Sequence, residues 1–253
     1  MKRSNLAVLL FLAISIAVAP KVFGGLVEID PNGKMFALVI GNDNYTHLPN
    51  LSESIRDANA IANELRKAGF EVVHLSNASS SEMIKAIEDF TAKLKSASGS
   101  QGFFWYSGRG VQLDYMGNMV GIDAGLDIQR VRSGTVSLGR LFESLSAARN
   151  KMNVVIVDST FYSLGRSETT VSLEIPLLDK FYDNICYIRS TSPGEQAQDN
   201  SPFCPSVLKN LTTPYSLAQT FLAIAGETAN ASRNAQRPIF YLPGRISSFT
   251  NTP

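Results

Sequence analysis

Two short segments of the chain carry the side chains that could do chemistry. They are the glycine-rich stretch 106–110 (YSGRG) and the stretch 158–160 (DST). The hydroxyls of Ser159 and Thr160 could act as nucleophiles, but a hydroxyl needs an adjacent general base to take its proton. Arg109 cannot be that base, because a guanidinium stays protonated at physiological pH. A hydrolase that used Ser159 or Thr160 would therefore need a base other than Arg109.

Histidine is the most frequent general base, and the chain has two, His47 and His74. His74 falls in a predicted strand, where we expect it to face solvent. His47 falls in a loop at the edge of the sheet where a site would form. We predict that neither histidine is catalytic.

Metal and phosphate chemistry are not predicted, and we expect no cofactor. The His, Cys and carboxylate residues are nowhere spaced like zinc ligands. Asp114, Asp123 and Asp127 are irregularly spaced, so we interpret them as solvated surface carboxylates rather than calcium ligands. Gly108 and Gly110 match neither a phosphate-binding loop nor a dinucleotide-binding fingerprint.

The elements that position these segments follow from hydrophobic periodicity. Continuous apolar runs such as 35–40 (MFALVI) are typical of strands covered on both faces, and apolar residues at helical spacing separate them. This alternation predicts an α/β fold with a doubly wound, mainly parallel sheet flanked by helices. The predicted strands are 35–40, 70–75, 102–106, 153–157, 185–188 and 237–242, with a hairpin at 111–120 that turns near 116–118. The predicted helices cover 55–68, 83–94 and 138–148, and further helices begin near Ser201 and at Ser216, with capping boxes at Ser79/Glu82 and Ser216/Gln219.

In such sheets, ligands bind outside the carboxyl ends of the strands. The loop after the first strand, the turn at 106–110 and the stretch 158–160 all follow strands of the predicted sheet. We therefore expect these three segments to converge on one site.

The converging segments resemble the caspase and metacaspase family over roughly residues 34–244. The stretch 37–45 (ALVIGNDNY) is similar to the first strand and loop of bacterial members, and Leu48-Pro49 follows it. Asp57-Ala58 is similar to the pair that opens the family's first helix, and 65–72 (LRKAGFEV) also resembles the family. So does Ser201-Pro202-Phe203 before a late helix. The ordered set implies a caspase-like fold.

The family's chemistry uses a His in a Y-[SA]-G-H-G turn and a Cys in a D-x-C motif. The corresponding residues here are Arg109 and Thr160, which are 51 positions apart, against about 50 between His and Cys in caspases. The frame is kept, but both reactive residues differ. The resemblance therefore implies a degenerate member in which the catalytic dyad is replaced.

The resemblance also implies a pocket for a basic side chain. In metacaspases this pocket uses acidic and hydroxyl residues, and by motif they match Asp57, Ser107 and Asp158. Carboxylates facing a cavity would attract a guanidinium or ammonium ion through charge-assisted bonds. The alternative is structural, with Asp57 capping its helix and Asp158 holding backbone amides in the turn.

The direction of the Arg109 side chain is a further expectation. A buried carboxylate without a partner is costly, and Arg109 is predicted to emerge beside Asp158. We therefore expect its guanidinium within salt-bridge reach of Asp57 or Asp158, where it would plug the pocket. In the alternative arrangement it points outward and contacts a carboxylate on a partner.

The ends of the chain divide it into predicted regions. Lys2 and Arg3 precede a 14-residue apolar run, which is typical of an export signal and short for a bilayer span. We predict a signal peptide over 1–24, a leader over 25–33, one caspase-like domain over 34–244 and a tail over 245–253. Within the domain, 161–184 is interpreted as a long connection. The chain is expected to be periplasmic or secreted, with an uncleaved N-terminal anchor as the alternative and no membrane span in the mature chain.

The chain has two cysteines, Cys186 and Cys204. An exported protein enters an oxidising compartment, where cysteines can form disulfides. The predicted topology puts Cys186 near the far end of a strand and Cys204 near the site. Such a separation exceeds the reach of a disulfide, so we expect free thiols.

The composition excludes one class of partner. The chain has 23 basic and 22 acidic side chains, whereas a nucleic-acid-binding face needs concentrated basic charge. We interpret the protein as a catalytically inactive caspase-like pseudopeptidase that binds a peptide or protein partner in the degenerate cleft. The alternatives are a residual hydrolase that uses Thr160 or Ser159, and a purely structural envelope domain.

Overall fold

The computed structural model describes residues 33–163, 178, 182–192, 195–197, 200–211 and 213–244. Helices and strands alternate along the chain much as the periodicity predicts. In chain order they are β1 (Met35–Gly41), α1 (Ser54–Lys67), β2 (Glu71–Ser76), α2 (Ser80–Ser96), β3 (Gln101–Ser107), β4 (Gly110–Leu113), β5 (Met116–Val120), α3 (Ile128–Ser133), β6 (Thr135–Ser137), α4 (Leu138–Ala148), β7 (Met152–Asp158), β8 (Phe161–Ser163), β9 (Ile185–Arg189), α5 (Phe203–Asn210), α6 (Leu217–Ala231) and β10 (Ile239–Tyr241).

Six of the strands form the central sheet, in the order β10-β9-β7-β3-β1-β2. All the pairings are parallel except that of β10 with β9. Every residue of β3 is buried, and so are all but the first of β1 and β7, because helices cover both faces. The predicted fold class is confirmed.

Alternate residues of each strand enter two separate cores. Ala37 and Val39 of β1 pack on one face with α1, α5 and α6. Leu38 and Ile40 pack on the other face with α2 and α4. Since successive strand side chains point to opposite faces, the same short apolar run supplies both cores.

The capping boxes begin two of the helices as predicted. The Ser79 side chain accepts from the Glu82 amide at the start of α2, and the Glu82 carboxylate accepts from the Ser79 amide at 2.8 Å. Ser216 and Gln219 make the same reciprocal pair before α6. These bonds satisfy amides that the helix itself leaves without partners.

A second sheet, in the order β6-β5-β4-β8, goes beyond the predicted hairpin. The hairpin turns at Asp114 and Tyr115, both with positive φ, rather than near 116–118, which belong to β5. Two positive φ values suit a tight hairpin turn, and Asp114 is held there by an ion pair to Arg132 at 2.7 Å. The segment predicted as a connection, 161–184, begins instead with β8, which pairs with β4.

Several predicted regions lie outside the described residues. They include the signal segment 1–24, nearly all of the leader 25–33, the tail 245–253 and most of 164–181. In the part of the chain that the structure describes, no helix has the length and apolar character needed to cross a bilayer.

Both cysteines are free and buried, in the core that α1, α5 and α6 cover. Cys204 lies at the predicted end of the sheet, since its Sγ is 4.0 Å from the carbonyl oxygen of Asp57. Burial raises the pKa of each thiol, so the two residues pack as small apolar side chains.

Candidate functional site

A cleft of about 450 Å³ opens at the carboxyl ends of β1, β3 and β7. The three segments that the sequence predicts to converge all line it. They supply the loop before α1, the turn after β3 and the stretch that ends β7, and the chain after β9 closes the remaining side. The lining residues include Asp57, Ser107, Arg109, Asp158, Thr160 and Ala197.

The register of the parallel strands places two of these residues side by side. Ser107 of β3 is opposite Asp158 of β7 and also opposite Gly41 of β1. The amide of Gly108 donates to the main-chain oxygen of Asp158 at 3.3 Å. The two motifs therefore leave the sheet together.

The start of α1 packs directly on the end of β1, and this brings Asp57 to the cleft. A Cβ at Gly41 would lie 2.6 Å from the Ser54 carbonyl oxygen, so only glycine permits this approach. The Asp43 carboxylate accepts from the amides of Ser54 and Ile55 at 2.9 and 3.1 Å. Asp43, and not Asp57, thus caps the helix.

The structural alternative for Asp158 is also wrong. Its carboxyl group is hydrogen bonded to the hydroxyl of Ser190, and the only amide contact described for Asp158, that with Gly108, uses its main-chain oxygen. Both aspartate carboxyls are thus free of the backbone roles considered for them. They lie instead at the base of the cleft, each in a residue that is 7% exposed.

Burial destabilises the charged form of both carboxyls. It raises the pKa of Asp158 to about 7, and the negative charges of Asp57 and Glu53 add to this rise, whereas the Ser190 hydroxyl opposes it. Burial also raises the pKa of Asp57, and the Arg56 charge opposes the rise. Loss of hydration is the dominant cause in each case.

The only basic side chain paired with this acidic group among the described residues lies outside the cleft. Arg56 contacts both Glu53 and Asp57 at 3.2 Å, but its side chain is 63% exposed. In the described part of the chain, no basic side chain forms an ion pair with Asp158. The base of the cleft therefore carries excess negative charge once Asp158 ionises.

Arg109 does not plug the pocket, and the expectation of a salt bridge to Asp57 or Asp158 is wrong. Its Nε donates to the carbonyl oxygen of Pro49 at 2.8 Å, and its guanidinium lies 5.7 Å from the ring centroid of Tyr45. A carbonyl oxygen and an aromatic face both attract a guanidinium. The side chain consequently leans on the loop before α1, at the rim of the cleft.

Two tyrosines hold the backbone of this turn. The amide of Arg109 donates to the Tyr45 hydroxyl at 2.7 Å, and the Tyr106 hydroxyl donates to the Arg109 carbonyl oxygen at 2.6 Å. A Cβ at Gly108 would lie within 2.8 Å of both hydroxyls, which explains the glycine without any phosphate. Burial raises the pKa of Tyr45 to about 12, so the hydroxyl keeps its proton.

The hydroxyls at the end of β7 form hydrogen bonds with the main chain. Thr160 Oγ1 accepts from the amide of Ala197 at 2.6 Å, and this bond ties the segment 195–197 to the site. Ser159 is 2% exposed, and its hydroxyl donates to the Thr160 carbonyl oxygen at 3.4 Å. Neither hydroxyl is bonded to an imidazole.

The two histidines stand away from the cleft, which neither of them lines. His47 is exposed in the loop after β1. His74 was expected to face solvent, but it is half-buried and its Nε2 is fully buried. This burial lowers the pKa of His74, and the charge of Arg66 adds to the effect.

The acidic residues considered for calcium have structural partners. Asp123 accepts from the amide of Ser80 at 2.8 Å, Asp127 caps α3, and Asp114 pairs with Arg132. Among the described residues, no group of three or more His, Cys, Asp or Glu side chains could hold a metal ion.

Four contributors to the site are missing from the sequence predictions. Ser190 comes directly after a predicted strand that ends at the same edge of the sheet, so its presence at the site could have been predicted from the sequence. Tyr45 belongs to the stretch 37–45, but the motif does not reveal that its hydroxyl bonds the Arg109 amide. Glu53 and Ala197 lie in loops, where only the folded chain shows which atoms they meet.

The fold and the cleft together define a caspase-like domain. The sequence profile of the caspase domain matches residues 34–247, so the chain belongs to that family. The chain is 28% identical over 163 residues to mucosa-associated lymphoid tissue lymphoma translocation protein 1 of Homo sapiens, and 27% identical to its Mus musculus homolog. These matches cover 64% of this chain but only 19% and 18% of the two relatives.

A solved structure supports the fold independently of close sequence similarity. Protein GSU0716 from Geobacter sulfurreducens aligns with a TM-score of 0.59 over 87% of this chain and 97% of its own. The sequence identity is 18%, so this likeness concerns the fold alone.

The raised pKa of Asp158 gives a first prediction, on stability. Between the ordinary carboxyl pKa and about 7, the unfolded state has lost this proton and the folded state has kept it, so stability falls as pH rises through that window. The pKa shift corresponds to a loss on the order of 4 kcal/mol. We expect Asp158→Asn to be more stable than the wild type at pH 8 and about equal to it at pH 4, in urea denaturation.

The matched control is Asp89→Asn, an exposed aspartate on α2 that pairs with Lys85. It should leave the pH dependence of the wild type unchanged. A stability difference between Asp158→Asn and the wild type that is the same at pH 4 and pH 8 contradicts the assignment.

The Thr160 contact gives a second prediction, on local opening. Thr160→Val keeps the shape of the side chain and removes the acceptor for the Ala197 amide, a bond worth about 1 kcal/mol. We expect about fivefold faster hydrogen exchange at that amide. Thr160→Ser keeps a hydroxyl and should retain protection, whereas equal exchange rates in the wild type and the valine variant would argue against this bond.

Proposed function

We propose that this protein is a catalytically inactive caspase-like pseudopeptidase that binds a basic side chain of a peptide or protein partner in its cleft. The observation that carries the proposal is the pair of buried carboxyls, Asp57 and Asp158, at the base of an open cleft. Such groups are costly to bury without a cation. A ligand that brings a guanidinium or ammonium ion compensates for this cost, and perturbed carboxyls in a cleft are typical of functional sites.

The residues at the dyad positions support the inactive state. Arg109 stands where the family has its histidine, and a guanidinium is no general base. Thr160 stands where the family has its cysteine, and its hydroxyl already accepts a backbone hydrogen bond. The basic start and apolar run of 1–24 support placing this function outside the cytoplasm.

Binding is tested with a labelled pentapeptide that carries one internal arginine and is blocked at both ends. We expect it to bind the wild-type chain, and replacement of its arginine by citrulline to weaken binding about tenfold or more, because a charge-assisted bond contributes about 1.5–3 kcal/mol. Binding should strengthen from pH 5.5 to pH 8, since Asp158 must ionise to attract the cation. Fluorescence anisotropy measures both effects.

The variants assign the effect to the site. Asp158→Asn should remove most of the preference for arginine and flatten its pH dependence, whereas Asp89→Asn should behave as the wild type. Equal affinity for the arginine and citrulline peptides would refute the proposal.

Catalytic inactivity is tested separately. We expect residues 25–253 to show no turnover of Arg- or Lys-containing fluorogenic peptides, with or without calcium. Any background should persist in Thr160→Ala and so mark a contaminant. Turnover that disappears in that variant would favour the alternative, a hydrolase that uses Thr160.

A further inference from the structure

Arg109 presents an unused charge at the rim of the acidic cleft. Its Nε is bonded to Pro49 and its guanidinium lies over Tyr45, so the side chain is held in place. In the described part of the chain, no carboxylate pairs with it and no acceptor is bonded to its η nitrogens. Arg109 is half-buried as a residue and lines the cleft, so part of its side chain is accessible to a ligand there.

The cleft therefore has both acidic and basic side chains in its lining. Asp57 and Asp158 form its acidic base, and Arg109 contributes a basic group to the lining of the same cavity. These opposite charges do not neutralise each other, since no ion pair joins them. A ligand that pairs with both kinds of group must carry a cation and an anion, and a carboxylate is the anion that peptides supply.

We propose that the cleft binds a peptide or protein whose last residue is arginine or lysine, with the α-carboxylate on Arg109. This inference rests on the proposed function, because the basic side chain occupies the acidic base described there. In a C-terminal arginine, five bonds separate Cα from the guanidinium carbon, a span of about 6 Å. One terminal residue therefore carries both the carboxylate and the cation, and no second residue is needed to join them.

The planar fork of Arg109 suits this carboxylate. A guanidinium binds a carboxylate through two parallel N–H···O bonds, and among the described residues the two η nitrogens have no other acceptor. A peptide that continues past the basic residue offers a neutral amide at the same point. The cleft volume of about 450 Å³ is within the range typical of small-ligand sites and suits one terminal residue.

The chemistry of the ligand identifies the reaction that supplies it. Hydrolysis of a peptide bond on the carboxyl side of arginine or lysine creates a basic residue with a free α-carboxylate. In this inference, the cleft distinguishes the cut chain from the intact one, because only the cut chain carries the second charge.

The test titrates the full chain with three acetylated pentapeptides by calorimetry. The first ends in arginine with a free carboxylate, the second ends in arginine amide, and the third ends in citrulline with a free carboxylate. Free L-arginine is titrated as a fourth ligand. The proteins are the wild type, Arg109→Met and Arg140→Met, the last being a matched exposed arginine on α4, outside the cleft.

We expect the acid to bind the wild type about fivefold more tightly than the amide, as for a strong exposed ion pair. Arg109→Met should weaken the acid to the level of the amide and leave the amide unchanged. Arg140→Met should keep the preference. The backbone of the turn is held by Tyr45 and Tyr106, so loss of the Arg109 side chain should leave the fold intact, as circular dichroism will show.

The remaining outcomes separate this inference from the proposed function. Equal affinity for acid and amide, with weak binding of citrulline, overturns the terminal-carboxylate site and leaves the proposed function standing. A preference that persists in Arg109→Met also overturns it. Binding of none of the peptides refutes both, and free L-arginine that binds as tightly as the acid peptide refutes a peptide as the ligand.

Discussion

The in-register parallel pairing of β3 with β7 is the constraint on which the site depends. It sets Ser107 beside Asp158, so the turn that carries Arg109 and the stretch that carries Thr160 leave the sheet at one point. Both strands are buried on both faces, and a shift by one residue would turn every side chain into the wrong core. The cohesion of the two cores therefore fixes the geometry of the cleft.

That geometry places the carboxyl group of Asp158 where its ionisation lowers the stability of the fold. Asp158 ends a strand in the protein interior, and the Ser190 hydroxyl compensates only part of its lost hydration. A neutral side chain at this position would make a domain that is more stable above pH 7 and a cleft with one carboxyl fewer. The fold thus gives up some stability to keep an ionisable carboxyl in the cleft, an exchange that is common at functional sites.

The central sheet was predictable because its strands are continuous apolar runs, a signal that depends on local sequence alone. The second sheet was not, since β8 is three residues long and pairs with β4 across about fifty residues of chain. Ser107 and Asp158 line the cleft because they end neighbouring strands, and Asp57 lines it because α1 begins against the end of β1. The direction of Arg109 was predicted wrongly, because it is set by a carbonyl oxygen of Pro49 and the ring of Tyr45, and no pattern of charges reveals such partners.

The two tyrosine hydroxyls hold the main chain of residue 109 through bonds that do not involve its side chain. Tyr45 accepts from the amide and Tyr106 donates to the carbonyl oxygen, and both bonds are available to every residue type except proline. A mutation at this position can therefore change the chemistry of the cleft in one step without rebuilding the loop. Such a scaffold can evolve in a specific way: the residue at this position can change from a base to a charged contact while the fold around it stays the same.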